Sequence, residues 1–196
     1  MHRLLTLTGD VPRPTDEISL ALEAPLFLID TNILSDAKKS TKHSVLCRWL
    51  RQQDSIAIPF SAFLEIEQGI AAIEQTRPGK AEELNAWMNT LLASDYEYPA
   101  MTPEVARVLA RLYNCRPLKN LWCQEPQSKK KPGQDLAIAA VAIVYNLPIA
   151  TLNGRDFILI DQYFELPGVY NPVFNLWLVP AERDCHEGLT AKACVA

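Results

Sequence analysis

Four consecutive apolar residues, Leu26-Phe27-Leu28-Ile29, run directly into a carboxylate, Asp30. That junction constrains the fold more than any other feature of the chain. A short apolar run bounded by polar residues reads as a strand buried on both faces. Such a strand needs a layer of helices on each side, which is an α/β architecture. The alternation then repeats. Ile56-Ala57-Ile58-Pro59-Phe60 and Pro148–Leu152 read as further buried strands, and Tyr96–Pro99 as a short one. Leu46, Trp49 and Leu50 form a helical stripe between the first two. Ser61 is placed to cap a helix carrying Leu64, Ile70 and Ile73. Another helix lies near Lys80–Ala93, with Leu84, Trp87, Met88 and Leu91 as its face. Thr102-Pro103-Glu104 sets a hydroxyl at N-cap and a proline at N1 ahead of Val105, Val108, Leu109 and Leu112. Leu136–Tyr145 is almost wholly apolar and reads as a buried helix that stops at Asn146. Residues 115–133 are polar and read as a loop, and Asn153-Gly154 as a turn. The expected fold is a parallel sheet of four to five strands between helices.

A chain of 196 residues accommodates one such domain. Residues 1–24 mix Pro, Thr and acids without a sustained period and read as an N-terminal extension. The domain is expected over 25–177, with a C-terminal tail over 178–196. No apolar run approaches the ~18 residues that span a membrane. Five cysteines, an odd number without a C-x-x-C, argue for free thiols rather than a disulfide framework or a thiolate zinc site. A soluble, cytoplasmic protein is expected. Neither common glycine-rich phosphate loop occurs, which removes the two best-known nucleotide signatures. The net charge is -4, but it is unevenly spread. Between Glu104 and Lys131, seven basic residues face two acids, giving +5 and leaving -9 for the remainder.

In an α/β sheet, chemistry gathers at the carboxyl ends of the strands. Asp30 lies there, either as a functional acid or as the cap of a helix beginning at Thr31 or Asn32. Glu65 falls in the first turn or so of the helix after the second strand. Asp135 precedes the apolar helix, and Asp156 follows the strand at 148–152 by four residues. Each acid alone has an ordinary structural explanation at a helix N-terminus or in a turn. Gathered at one edge they repel one another, and a cation relieves that repulsion. Oxygen donors alone select a hard ion, Mg²⁺ or Mn²⁺. Such a centre suits phosphodiester hydrolysis, because the ion orients water and stabilises charge on the leaving oxygen. The histidines His2, His43 and His186 are poorly placed for a histidine mechanism.

Four blocks of this sequence resemble the PIN-domain family, and within it the VapC-type ribonuclease toxins. They are Phe27-Leu28-Ile29-Asp30-Thr31-Asn32-Ile33-Leu34-Ser35, Leu64-Glu65-Ile66-Glu67-Gln68-Gly69-Ile70, Asp135-Leu136-Ala137-Ile138-Ala139-Ala140 and Thr151-Leu152-Asn153-Gly154-Arg155-Asp156-Phe157. Their order and spacing match over roughly residues 26–177. The resemblance implies a Rossmann-like three-layer α/β/α sandwich. It implies that Asp30, Glu65, Asp135 and Asp156 form an acidic metal site for Mg²⁺ or Mn²⁺, supported through hydrogen bonds by Thr31 and Asn153. It implies endoribonuclease activity on tRNA or rRNA, a small antitoxin partner and a homodimer. The extension at 1–24, the loop at 115–133 and the tail after Trp177 depart from the family pattern. Lys129, Lys130 and Lys131 in that loop, just before Asp135, offer RNA a cationic approach. Trp49, Trp87 and Trp177 read as core residues, while Trp122 is a candidate for base stacking.

Two other classes compete. One is a catalytically silent module that binds RNA or antitoxin without cleaving. The other is a phosphotransfer enzyme with an aspartyl nucleophile. Haloacid-dehalogenase-like enzymes show D-x-D, whereas Asn32 holds the third place here. A receiver domain wants a lysine in the turn at 148–156, and none is present.

Overall fold

A computed structural model describes residues 25–39, 44–123 and 133–181. Five strands, β1 (Phe27–Ile29), β2 (Ile56–Ala57), β3 (Ile149–Ala150), β4 (Val169–Asn171) and β5 (Leu176–Val179), form one sheet in the order β2-β1-β3-β4-β5. The first four are parallel and β5 pairs antiparallel with β4. The expected parallel sheet is thus completed by one antiparallel strand. A parallel crossover needs a dozen or more residues, and only the turn at 172–175 separates β4 from β5. Asn175 closes that turn at φ 51, a conformation that asparagine tolerates.

The strands alternate strictly between two cores. Leu28, Ile149 and Val169 pack with Val105, Leu112, Ile138, Phe157 and Ile160. These come from α5 (Pro103–Asn114), α7 (Asp135–Tyr145) and α8 (Arg155–Asp161). Phe27, Ile29, Ile56, Ala150 and Tyr170 face the other way, against Ile33, Leu46, Ile66 and Met88. Those helices are α1 (Thr31–Lys39), α2 (Val45–Arg51), α3 (Phe60–Ile73) and α4 (Pro78–Leu92). Helices on both faces of a mostly parallel sheet make the three-layer sandwich that β1 required. Trp49 and Trp177 join Phe27 and Tyr170 in an aromatic cluster, with ring centroids 5.0–5.9 Å apart. Trp87 lies half-buried under the Lys38 ammonium, 5.5 Å from its ring centre.

Several boundaries differ from the sequence reading. Phe60 opens α3 instead of ending β2, and it is 53% exposed. Pro59 takes the N-cap place intended for Ser61, because a proline cannot donate to a ladder and pre-sets the chain for a helix. Tyr96–Pro99 contributes one parallel bridge, Glu97 beside Ala57. The loop expected over 115–133 is partly helical. A 3-10 turn at Arg116–Leu118 leads into α6 (Lys119–Trp122). Leu118 is fully buried, and Leu121 and Trp122 pack against the core. Three apolar residues inside a polar stretch suffice to anchor a turn, too few to show a period. Thr102 caps α5 as expected, accepting from the Val105 N–H.

Tyr145 at the end of α7 donates through its hydroxyl to the Ala100 carbonyl, 3.0 Å away, just before α5. The two helices pack together and therefore run antiparallel. The C-terminal end of α5 lies at the same edge as the start of α7.

Candidate active site

The ladder between β1 and β3 sets Leu28 opposite Ile149 and Ile29 opposite Ala150. The next residues are Asp30 and Thr151. The chain leaves β1 toward β2 on one side, while β3 lies on the other, so a crevice opens at their carboxyl ends. The Asp30 N–H donates to the Ala150 carbonyl at 3.0 Å, carrying the ladder up to the acid itself. The carboxyl of Asp30 is buried, with the residue 6% exposed.

A compact network holds that carboxyl. The Thr151 hydroxyl donates to Asp30 Oδ2 at 2.7 Å, and Asn32 Nδ2 donates to the same oxygen at 2.6 Å. Thr151 Oγ1 itself accepts from Asn32 Nδ2 at 3.1 Å and from the Asn153 N–H at 3.0 Å. A hydroxyl has one proton and two lone pairs. With both lone pairs used, its proton is committed to Asp30. Asn32 Oδ1 accepts the Leu152 N–H at 3.1 Å. Asn32 therefore clamps the start of α1 to the segment after β3.

Burial pushes the Asp30 carboxyl up to about 6. The hydrogen bond from Thr151 opposes this rise, as do the N–H groups of Thr31 and Asn32, while the charge of Glu65 adds to it. Asp135 is the first residue of α7 and half-buried. Burial pushes its carboxyl up to about 7, and the charges of Asp30, Asp156 and Glu65 each push it further. All four acids expected from the sequence thus lie within electrostatic reach of one point. Glu65 projects from α3 and is exposed, and Asp156 is half-buried in the first turn of α8. Gly133 lies against this group. A Cβ there would stand 2.5 Å from Asp135 Oδ2.

The expected supports behave differently. Thr31 is buried, and its hydroxyl has no hydrogen-bond partner among the described residues. Its N–H favours the charged form of Asp30. Asn153 is exposed, and it contributes through its N–H, which donates to Thr151 Oγ1. Sequence reasoning missed Asn32 and Thr151 as the side chains that grip Asp30. The available signal was a small polar residue just beyond each of two buried strands. Lys129, Lys130 and Lys131 lie outside the described residues.

The donor chemistry fits a hard divalent ion. Burial destabilises both carboxyls as anions, the charge of Glu65 adds to this at Asp30, and the charges of Asp30, Asp156 and Glu65 add to it at Asp135, which is the condition a cation relieves. Among the described residues, no three His, Cys, Asp or Glu side chains stand close enough to hold one ion jointly. Mg²⁺ does not require that, since it binds through one or two carboxylates with waters and substrate phosphates completing its shell.

A three-layer α/β/α domain with acids gathered at the carboxyl edge of a mostly parallel sheet is the class that fold and site define. The PIN domain model matches residues 27–162, and the chain belongs to the PIN-domain family. Among solved structures, FitAcB from Neisseria gonorrhoeae aligns with a TM-score of 0.53 at 21% identity, over 77% of this chain and 100% of that one. FitAB bound to an IR36 DNA fragment aligns with a TM-score of 0.52 at 20% identity, over 76% and 96%. VapBC2 from Rickettsia felis, bound to a DNA fragment from its promoter, gives 0.49 at 20% identity, over 68% and 91%. No curated protein matches.

Proposed function

We propose that this chain is a Mg²⁺- or Mn²⁺-dependent endoribonuclease that hydrolyses phosphodiester bonds in RNA, with tRNA or rRNA as target. We further propose that it is the toxin of a VapBC-like pair. The observation that carries the nuclease reading is the pair of buried carboxyls, Asp30 and Asp135, each raised by burial and by neighbouring acids. Asp30 and Asp135 would hold the ion, with Glu65 and Asp156 flanking them. A bound ion of this kind activates water and stabilises charge on phosphorus and on the leaving oxygen. Thr151 and Asn32 fix the Asp30 carboxyl in one orientation. The toxin reading rests on the four sequence blocks that resemble VapC-type proteins. It brings a small antitoxin and a homodimer with it.

The test is cleavage of a total tRNA and rRNA pool by purified protein in Mg²⁺, Mn²⁺ or EDTA. Asp30→Asn and Asp135→Asn serve as controls. Discrete metal-dependent fragments, lost by at least 10²-fold in both variants, are expected. RNA binding without cleavage by a folded, metal-loaded protein would favour the silent binding module. The one observation on that side is the absence of a joint three-residue ligand set among the described residues.

A further inference from the structure

The geometry points to a substrate track beside the acids: Tyr113, Arg116 and Lys119, from the C-terminal end of α5 through the 3-10 turn to the start of α6, take a single-stranded segment of RNA. This rests on the nuclease reading and says where the nucleic acid runs.

Placement comes first. Because α5 and α7 are antiparallel, Tyr113 lies ten residues from the start of α5 and Asp135 ten from the end of α7. At 1.5 Å per residue both sit about 15 Å along their helices, level with each other. The cations that follow Tyr113 therefore stand at the carboxyl edge of the sheet, on the flank of the acidic site.

Charge comes second. Arg116 and Lys119 are exposed, and among the described residues neither meets a carboxylate within ion-pairing distance. Glu104, the one acid of α5, lies at the far end of that helix, where it pairs with Arg107 at 3.4 Å. In a chain of net charge -4, a cationic strip bordering an acidic centre is complementary to a polyanion that must reach that centre.

Aromatic surface comes third and makes nucleic acid the better occupant than an acidic peptide. Tyr113 is 40% exposed, three residues before Arg116, and its ring packs at 5.0 Å on Trp122, three residues after Lys119. Trp122 holds the Tyr113 ring from behind, and its own indole N–H is buried without a partner among the described residues. A rigid exposed ring beside cations is what stacks successive bases of a single strand. A carboxylate-rich peptide gains nothing from the ring.

The experiment uses the full chain carrying Asp30→Asn, so that RNA is bound and not cut. The probe is a labelled single-stranded RNA of about 12 nucleotides, titrated at several salt concentrations. Removing both cations with Arg116→Gln and Lys119→Gln should flatten the slope of log affinity against log salt by about 1.4. Tyr113→Ala should weaken binding about 10-fold, and Tyr113→Phe should restore it. Unchanged affinity and slope in the double variant would overturn the track while leaving the nuclease intact, as wild-type cleavage would show. Polyglutamate binding as tightly as RNA, with Tyr113→Ala indifferent, would assign the strip to an acidic peptide. Failure of the parent to bind RNA, together with no cleavage by wild type, would remove both readings.

Discussion

Asp30 is held by two opposing influences. Four donors favour its anion, and burial disfavours it more strongly. A carboxyl at about 6 in the native state, against 3.8 for the ordinary group, binds its proton more tightly when folded. Stability therefore falls as pH rises. The contribution is full below about pH 4 and is lost as pH climbs through about 6 for Asp30 and about 7 for Asp135. For Asp30 alone it is on the order of 2–3 kcal/mol. The melting temperature of the metal-free protein, measured in EDTA, should be lower at pH 8 than at pH 5. Asp30→Asn should raise it at pH 8 and narrow the difference, even as it removes activity. A melting temperature indifferent to pH across that window would mean that these carboxyls are not buried as acids. Asn32→Ala should cost about 1–3 kcal/mol in urea denaturation, because it strips a donor from Asp30 and leaves the Leu152 N–H without its partner.

At the scale of elements, α8 carries Asp156 and is seated on β5. Gly154, the residue before α8, is buried at an ordinary φ of -76. Space, not backbone strain, demands glycine there: a Cβ would run into Leu178 Cδ1. Gly154→Ala should cost about 1–3 kcal/mol by overpacking. Leu178→Ala in the same chain should recover part of that, and a double-mutant cycle in urea would measure the coupling. A cycle that closes without coupling would show that the contact is relieved elsewhere. β1, β2 and β3 were legible because each lies in a short apolar run, whereas β4 and β5 were not singled out, because Asn171 and the turn at 172–175 break any such run. The four acids were legible because they follow those strands or open helices. Phe60 was misread because strand and helix share one apolar run across Pro59. α6 was missed because Leu118, Leu121 and Trp122 give no period. The grip of Asn32 and Thr151 on Asp30 was hidden because it depends on the register of β1 with β3, which a linear reading does not contain.

Across the whole molecule, the proposed metal site would couple ion binding to stability through the paired acids. Mg²⁺ or Mn²⁺ at millimolar concentration should raise the melting temperature, and more at pH 8 than at pH 5, because the carboxyls must lose protons to bind. Equal shifts at both pH values, or none, would place the ion away from Asp30 and Asp135. Among the described residues no helix is long and apolar enough to cross a membrane. The sheet order has a further consequence for how the protein is made. Asp30 is synthesised early, yet the hydroxyl that holds it arrives 121 residues later. The strand that flanks β1 on that side, β3, likewise belongs to the last third of the chain. The first hundred residues supply Asn32 and Glu65 but not Thr151, Asp135 or Asp156. A ribosome part-way through this message therefore carries a chain with no completed site. Whatever chemistry the acids perform begins only after Asp135, Thr151 and Asp156 have all been translated.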